Sequence, residues 1–242
     1  MAGHSHAKNV MYQKGKEDAK KGKIFNKLAR EITVACKLGA PDPASNPRLR
    51  AAIIDARKSN MPRERIERAI KAAQPGALDN ANYEEVRYEG YGPGGIALII
   101  EALTDNRNRT ASEIRTMLTK HGGTLGESNS VAFMFNRTGE IIYPAGAASD
   151  DAMLEAVIEA GGENVESGPE VHEITSSADD FGTVRAALEK KFGEPQSAKL
   201  VWKPRTLVAV TGEAAQNLIK LLDVLEDDDD VQYVSGNFDI AE

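Results

Sequence analysis

The apolar residues Phe25, Leu28, Ala29, Ile32, Ala35 and Cys36 recur at helical spacing from about Gly15 onward. On a helical wheel they fill one arc of about 120°. Lys16, Lys20, Lys23, Lys27, Arg30 and Lys37 fall on a separate arc of about 100°. The pattern predicts one helix with an apolar face and a cationic face. Two more helical stretches follow at 46–59 and 62–73, with Pro47 and Pro62 suited to first turns, and "QPG" ends the last. These helices predict a small bundle behind a polar arm, residues 1–15, too poor in large apolar groups to fold alone.

After Tyr83 the period changes. "EEVRYEGY" and "GIALIIEALT" read as strands around the turn "GYGPGG", "RNRTASEIRTMLTKHGG" as a helix closed by glycine, and "SVAFMFN" as a further strand. Residues 139–203 then run strand (140–143), helix (149–160), strand (164–167), strand (171–175), helix (179–192), strand (198–202). That is the βαββαβ order of a ferredoxin-like unit. The flanking pieces, completed by "EAAQNLIKLLDVLED" and "VQYVSG", predict a second α/β domain interrupted by the first. The expected fold class is α+β in three domains: a basic arm and helical bundle (1–79), a middle α/β domain (80–136 plus 206–242), and an inserted βαββαβ domain (137–205).

Charge sharpens this division. The chain of 242 residues has a formal net charge of -7. Residues 1–72 hold 17 Lys+Arg against 7 Asp+Glu, whereas residues 73–242 hold 13 against 30. A basic third on an acidic remainder predicts a polyanion partner for one end and solubility through self-repulsion for the other. Cys36 has no second cysteine to pair with, and no run reaches the roughly 18 apolar residues of a membrane span. Residues 1–15 lack a signal or transit pattern, so a cytoplasmic protein with no membrane association and a mature start is expected.

Several motifs tempt a chemical reading and fail on context. Gly90, Gly92 and Gly95 satisfy G-x-G-x-x-G, but an apolar strand follows instead of a helix that could hold a pyrophosphate. "DFG" at 180–182 lacks the other kinase segments and reads as a helix start with Asp179 or Asp180 as cap. "GKEDAKKGKI" has too long a glycine spacing for a phosphate loop, and Ile24 stands where Ser or Thr is needed. His4 and His6 lack further ligands, so no metal is expected. "EDDDD" (226–230) lacks calcium-loop spacing and reads as a solvated helix end. His121 reads as a helix terminus meeting the last carbonyls. The histidines and Cys36 assemble no nucleophile, base and orienter, so neither catalytic residues nor a cofactor are expected.

The cationic material remains. Lys8, Lys14, Lys16, Lys20, Lys21, Lys23 and Lys27, joined by Arg30, suit phosphate oxygens. "NRNRT" (106–110) places Arg107 and Arg109 at a helix start, beside free backbone N–H groups. Arg48, Arg50, Arg57 and Lys58 are weaker candidates. The solvated-face reading competes with this one. Confinement to one face, and continuation into the arm of an acidic chain, favour phosphate contact.

The segments "MAGHS", "DAKKGKIFNKLAREITVA", "NPRLR", "NMP", "YEEVRYEGYGPGG", "LTDNRNRTASEIR", "KHGGTLGESNSVAFMF" and "LLDVLEDDDDVQ" together resemble the YebC/PmpR family, end to end. The family has a mitochondrial relative that activates translation of cytochrome c oxidase. The resemblance implies a helical domain and two α/β domains, and a role as a DNA-binding transcriptional regulator or a ribosome-associated translation factor. Where the family reads Lys and Trp, this chain has His6 and Ala7; where it reads His and Arg, this chain has Tyr12 and Gln13. Only Tyr12 is left in that stretch as a stacking ring.

The expected function is therefore a non-enzymatic nucleic-acid-binding regulator of gene expression, its partner promoter DNA, or ribosomal RNA and the ribosome. A protein adaptor and an enzyme with an unrecognised site are the alternatives. Helices 46–59 and 62–73, joined by "NMP", give no strong helix-turn-helix signature, which tilts the reading toward RNA.

Overall fold

The computed structural model describes residues 17–74 and 82–240, with side chains from residue 21 onward. The helical region comprises α1 (Glu17–Leu38), α2 (Pro47–Lys58) and α3 (Arg63–Ala72). Their apolar stripes converge on fully buried Ile32 and Leu49, surrounded by Ala35, Ala52, Ala56, Met61, Ile66 and Ala69, with Phe25 and Leu28 packed alongside. Alanines at the contact positions let the helices approach closely, and Ile32 and Leu49 each contribute about 1.5–3 kcal/mol by leaving water.

Two polar side chains lock the bundle. Asn46, buried, caps α2 by accepting the Leu49 N–H at 3.0 Å, and its amide donates to the Ala35 and Ala40 carbonyls, both at 2.8 Å. One side chain thus satisfies orphan groups at the end of α1 and the start of α2. The Thr33 hydroxyl lies 2.9 Å from the Ala29 carbonyl and 3.1 Å from that of Ala69, tying α1 to α3.

The strands follow as β1 (Glu84–Gly92), β2 (Ile96–Thr104), β3 (Thr124–Leu125), β4 (Phe135–Pro144), β5 (Asn164–Ser167), β6 (Val171–Ser177), β7 (Ser197–Pro204), β8 (Val208–Val210), β9 (Val231–Gly236) and β10 (Phe238–Ile240). The helices among them are α4 (Arg107–Lys120), α5 (Asp150–Ala160), α6 (Phe181–Phe192) and α7 (Gly212–Glu226). One sheet has the order β3-β1-β2-β9, a second β5-β6-β4-β7, and β8 and β10 form a short parallel pair. Between β1 and β2 the chain turns through Pro93–Gly95, where Gly94 and Gly95 take φ of 75° and 74°. This left-handed backbone is why glycines stand there. Residues Ile96–Ile100 are buried in succession, as in a strand covered on both faces.

In the second sheet every pairing is antiparallel. With α5 and α6 between the strands, the order is that of a ferredoxin-like βαββαβ unit. Ile141, Tyr143, Met153, Ile174, Val184 and Leu188 form its core. Gly139 is needed on β4 because a Cβ there would collide with Ser176 and with the Phe181 ring. The fold class is α+β, an N-terminal helical bundle followed by α/β parts on antiparallel sheets.

"SVAFMFN" departs from expectation. Ala132–Met134 is a 3-10 turn, and the strand that begins at Phe135 runs ten residues as β4, paired with β6 and β7. The cause is Glu89. Its buried carboxylate accepts the N–H groups of Asn129 (3.0 Å), Val131 (2.9 Å) and Ala132 (2.9 Å), which bends the chain into a turn.

By contact density the chain divides into two compact units. One comprises Met1–Val86, Ala102–Thr110 and Asp223–Gln232; the other comprises Arg87–Glu101, Ala111–Leu222 and Tyr233–Glu242.

Candidate nucleic-acid interface

Lys8, Lys14 and Lys16 lie outside the described residues, as do His4, His6 and Tyr12, and for Lys20 only the backbone is described. The remaining candidates, Lys21, Lys23, Lys27, Arg30, Arg107 and Arg109, all belong to the first compact unit. Within it, α1 turns its cationic face to the acidic run Glu226–Asp230. The Lys23 ammonium donates to the Asp227 carbonyl at 2.9 Å and lies 3.9 Å from that residue's carboxylate. Lys27 donates to the Glu226 carbonyl at 2.6 Å. These carbonyls close α7, where the helix dipole favours a cation.

Arg30 goes deeper. Its guanidinium donates to the Asp229 carbonyl (2.7 Å), the Leu103 carbonyl (3.3 Å) and Asp230 Oδ1 (2.5 Å), and it stacks over the Tyr83 ring at 5.0 Å. Asp230 is 5% exposed at its side chain. Its second oxygen accepts from Arg109 at 2.7 Å and from the Thr110 hydroxyl at 2.6 Å, and Thr110 Oγ1 is 2.8 Å from Thr104 Oγ1. Burial opposes the Asp230 charge, but the bonds from Thr110, Arg109 and Arg30 outweigh it and hold the carboxyl below its ordinary range. Arg109 is bound more firmly to its proton through Asp230 and Asp105.

The start of α4 is closed as well. Asn106 accepts the Arg109 N–H at 3.1 Å, so this terminus carries its own cap. Arg107 is exposed, its guanidinium 3.8 Å from Glu84, and Lys21 is exposed. Arg48 clamps Glu31, with Nε at 2.6 Å, and also pairs with Glu85. Arg57, Lys58, Arg68 and Lys71 are exposed on α2 and α3. Arg63 pairs with Glu67 at 2.8 Å, and Arg65 stacks on Phe25.

Lys27 feels two opposing effects. Burial lowers its pKa, and the carboxylates of Asp228, Glu226, Asp229 and Asp227 only partly restore it. Those four negative charges lie close enough to Lys27 to act on its ammonium.

Glu226–Asp230 has the pattern of a solvated helix end, yet Asp230 is buried together with Thr104 and Thr110, which no motif marks. One signal points to the contact: the largest cationic face and the longest acidic run of one chain are natural partners, and the run leads directly into β9, whose first residue, Val231, is buried. Of two minor expectations, that for His121 holds, its Nδ1 meeting the Met117 carbonyl at 2.8 Å. Asp180 stands at the N-cap position of α6 but makes no capping bond, because its carboxylate accepts from the Ser177 hydroxyl instead.

The described side chains do bring one serine and one histidine together. Ser167 Oγ lies 2.7 Å from His172 Nδ1. The imidazole is fully buried, and its Nε2 faces the carbonyls of Ala145 (3.2 Å) and Ala148 (3.1 Å). Asp150, the nearby carboxylate, approaches the same Nδ1 as the serine at 3.9 Å and so does not orient the far nitrogen as a relay requires. This arrangement fastens the 145–148 turn to β6.

Comparison with known proteins agrees with the architecture. Residues 5–76 match the family model described as the TACO1/YebC protein N-terminal domain, and residues 83–238 match the TACO1/YebC second and third domain. A crystal structure of the conserved hypothetical protein Aq1575 from Aquifex aeolicus is 49% identical, with 98% of each chain covered and a TM-score of 0.85. The two family models together span residues 5–76 and 83–238, and the solved structure matches over nearly the whole length: the chain belongs to the TACO1/YebC family.

Proposed function

We propose that this protein is a non-enzymatic, cytoplasmic regulator of gene expression that binds nucleic acid through its basic arm and the cationic face of α1. The observation that carries the reading is charge segregation: 17 Lys+Arg against 7 Asp+Glu in residues 1–72 of a chain with net charge -7. Exposed Arg57, Lys58, Arg68 and Lys71 extend the positive surface of the bundle beyond α1. Membership of a family whose model over residues 83–238 bears the name of a transcriptional regulator supports the regulatory part.

Helix geometry supports one polymer over the other. α2 and α3 are joined by Ser59–Pro62, with Asn60 at φ 58°, and α3 spends Arg63 on Glu67 and Arg65 on Phe25 and Asn26. A base-reading helix needs its side chains available for base edges, so backbone-directed binding of structured RNA is favoured over sequence-specific promoter reading.

Equilibrium binding across a salt series tests the reading. With about six lysines on phosphates, log affinity falls against log salt with a slope near -5 for duplex DNA or about -4 for a single strand. Affinity that ignores salt removes the phosphate-gripping arm from consideration. Crosslinking in cells followed by sequencing then decides between promoter and ribosomal RNA.

A further inference from the structure

We infer that the acidic run Glu226–Asp229 is a built-in competitor for nucleic acid at the cationic face of α1, displaced when a polyanion engages Lys23 and Lys27. The inference rests on the proposed phosphate-binding role of that face and concerns its regulation.

Two classes of contact occur in the cluster. Asp230 is sequestered and saturated by Arg30, Arg109 and Thr110, a fixed joint that no phosphate replaces without unpacking the unit. The lysine contacts are of another kind. Lys23 is 48% exposed at its side chain, and its partner Asp227 is 43% exposed, so the pair sits in water, where an ion pair contributes little and exchanges readily. Each ammonium uses a main-chain carbonyl and keeps other donors to offer. The neighbouring carboxylates repel an incoming phosphate from the two lysines. Asp228 Oδ1 accepts the Asp230 N–H at 2.9 Å, which holds the run in place beside the helix. Neutralising the run leaves the two carbonyl bonds and the Asp230 joint in place and lifts the repulsion that keeps a phosphate from the remaining donors of Lys23 and Lys27.

The test uses the full chain and two labelled probes, a random-sequence DNA duplex and an RNA hairpin. The variant Glu226→Gln/Asp227→Asn/Asp228→Asn/Asp229→Asn keeps every hydrogen-bond acceptor and leaves Asp230 intact. Glu155→Gln/Glu163→Gln/Glu166→Gln/Glu170→Gln, all exposed residues, changes net charge equally and is the control. The expected result is binding on the order of tenfold tighter than the control. The salt slope should steepen by about two for duplex DNA, one for each lysine gained, and Lys23→Gln/Lys27→Gln should abolish the gain. Equal affinity and slope for the run variant and the control overturn the inference alone. Absence of binding by both the unaltered protein and the run variant at low salt overturns the phosphate-binding reading and this inference with it. Should the fourfold variant fail to fold, Asp227→Asn/Asp228→Asn must show part of the gain with the same lysine dependence; no gain there overturns the inference too.

Discussion

Asp230 is one carboxylate with three donors and almost no contact with water. Asp230→Ala takes the shared acceptor from Arg30, Arg109 and Thr110, and the expected loss is about 3 kcal/mol in urea unfolding. Asp230→Asn keeps an acceptor and should cost less. Acid should act on the same residue. The folded state holds the Asp230 and Glu89 carboxyls below their ordinary values, through bonds that outweigh burial, so on acidification the unfolded chain takes up protons first. Their stabilisation is complete above the unfolded carboxylate pKa of about 4 and is lost as pH falls through the lower folded values. The urea midpoint of the parent should therefore drop between neutral pH and about pH 3, and Asp230→Asn should flatten that drop. No periodicity marks Asp230 as buried, since it closes a run of five acidic residues; only its three donors, drawn from α1 and α4, make burial affordable.

At the scale of elements, legibility depended on how local the determining interaction is. The helices of the bundle were readable because their apolar stripes and prolines are local signals, and the βαββαβ order was readable for the same reason. The turn at Ala132–Met134 was not, because "SVAFMFN" has strand character throughout and the carboxylate that bends it comes from Glu89, far away in sequence. Glu89→Gln removes the charge that holds three N–H groups, and Glu89→Ala removes the acceptor entirely. Hydrogen exchange at Asn129, Val131 and Ala132 should quicken in Glu89→Ala, with stability lower by about 1–3 kcal/mol. Unchanged protection at those amides would mean that the turn is held by something else. Gly139→Ala offers a second check on β4: with Ser176 and Phe181 in the way of a Cβ, the melting temperature should fall.

For the whole molecule, charge was the most legible property and the contacts of that charge the least. The sequence separates a basic third from an acidic remainder, yet part of the positive face is already bonded to main-chain carbonyls of the chain's own acidic run. Fold class was open to sequence reading, whereas pairing of α1 with residues some 200 positions later depends on tertiary structure alone. Leu49→Ala, at the centre of the bundle, should cost about 2–5 kcal/mol by calorimetry, since its side chain is wholly enclosed. Asn46, which closes α1 and opens α2 with one amide, bears on how the protein ages. Spontaneous deamidation begins when the following backbone nitrogen, freed of its hydrogen, attacks the side-chain carbonyl, and Pro47 has no such hydrogen. An aspartate here would turn a carboxylate toward the carbonyls of Ala35 and Ala40, repelling what the amide now joins. The joint of the bundle is thereby shielded from slow chemical decay, and mass spectrometry of stored protein should find position 46 intact after exposed asparagines have begun to convert.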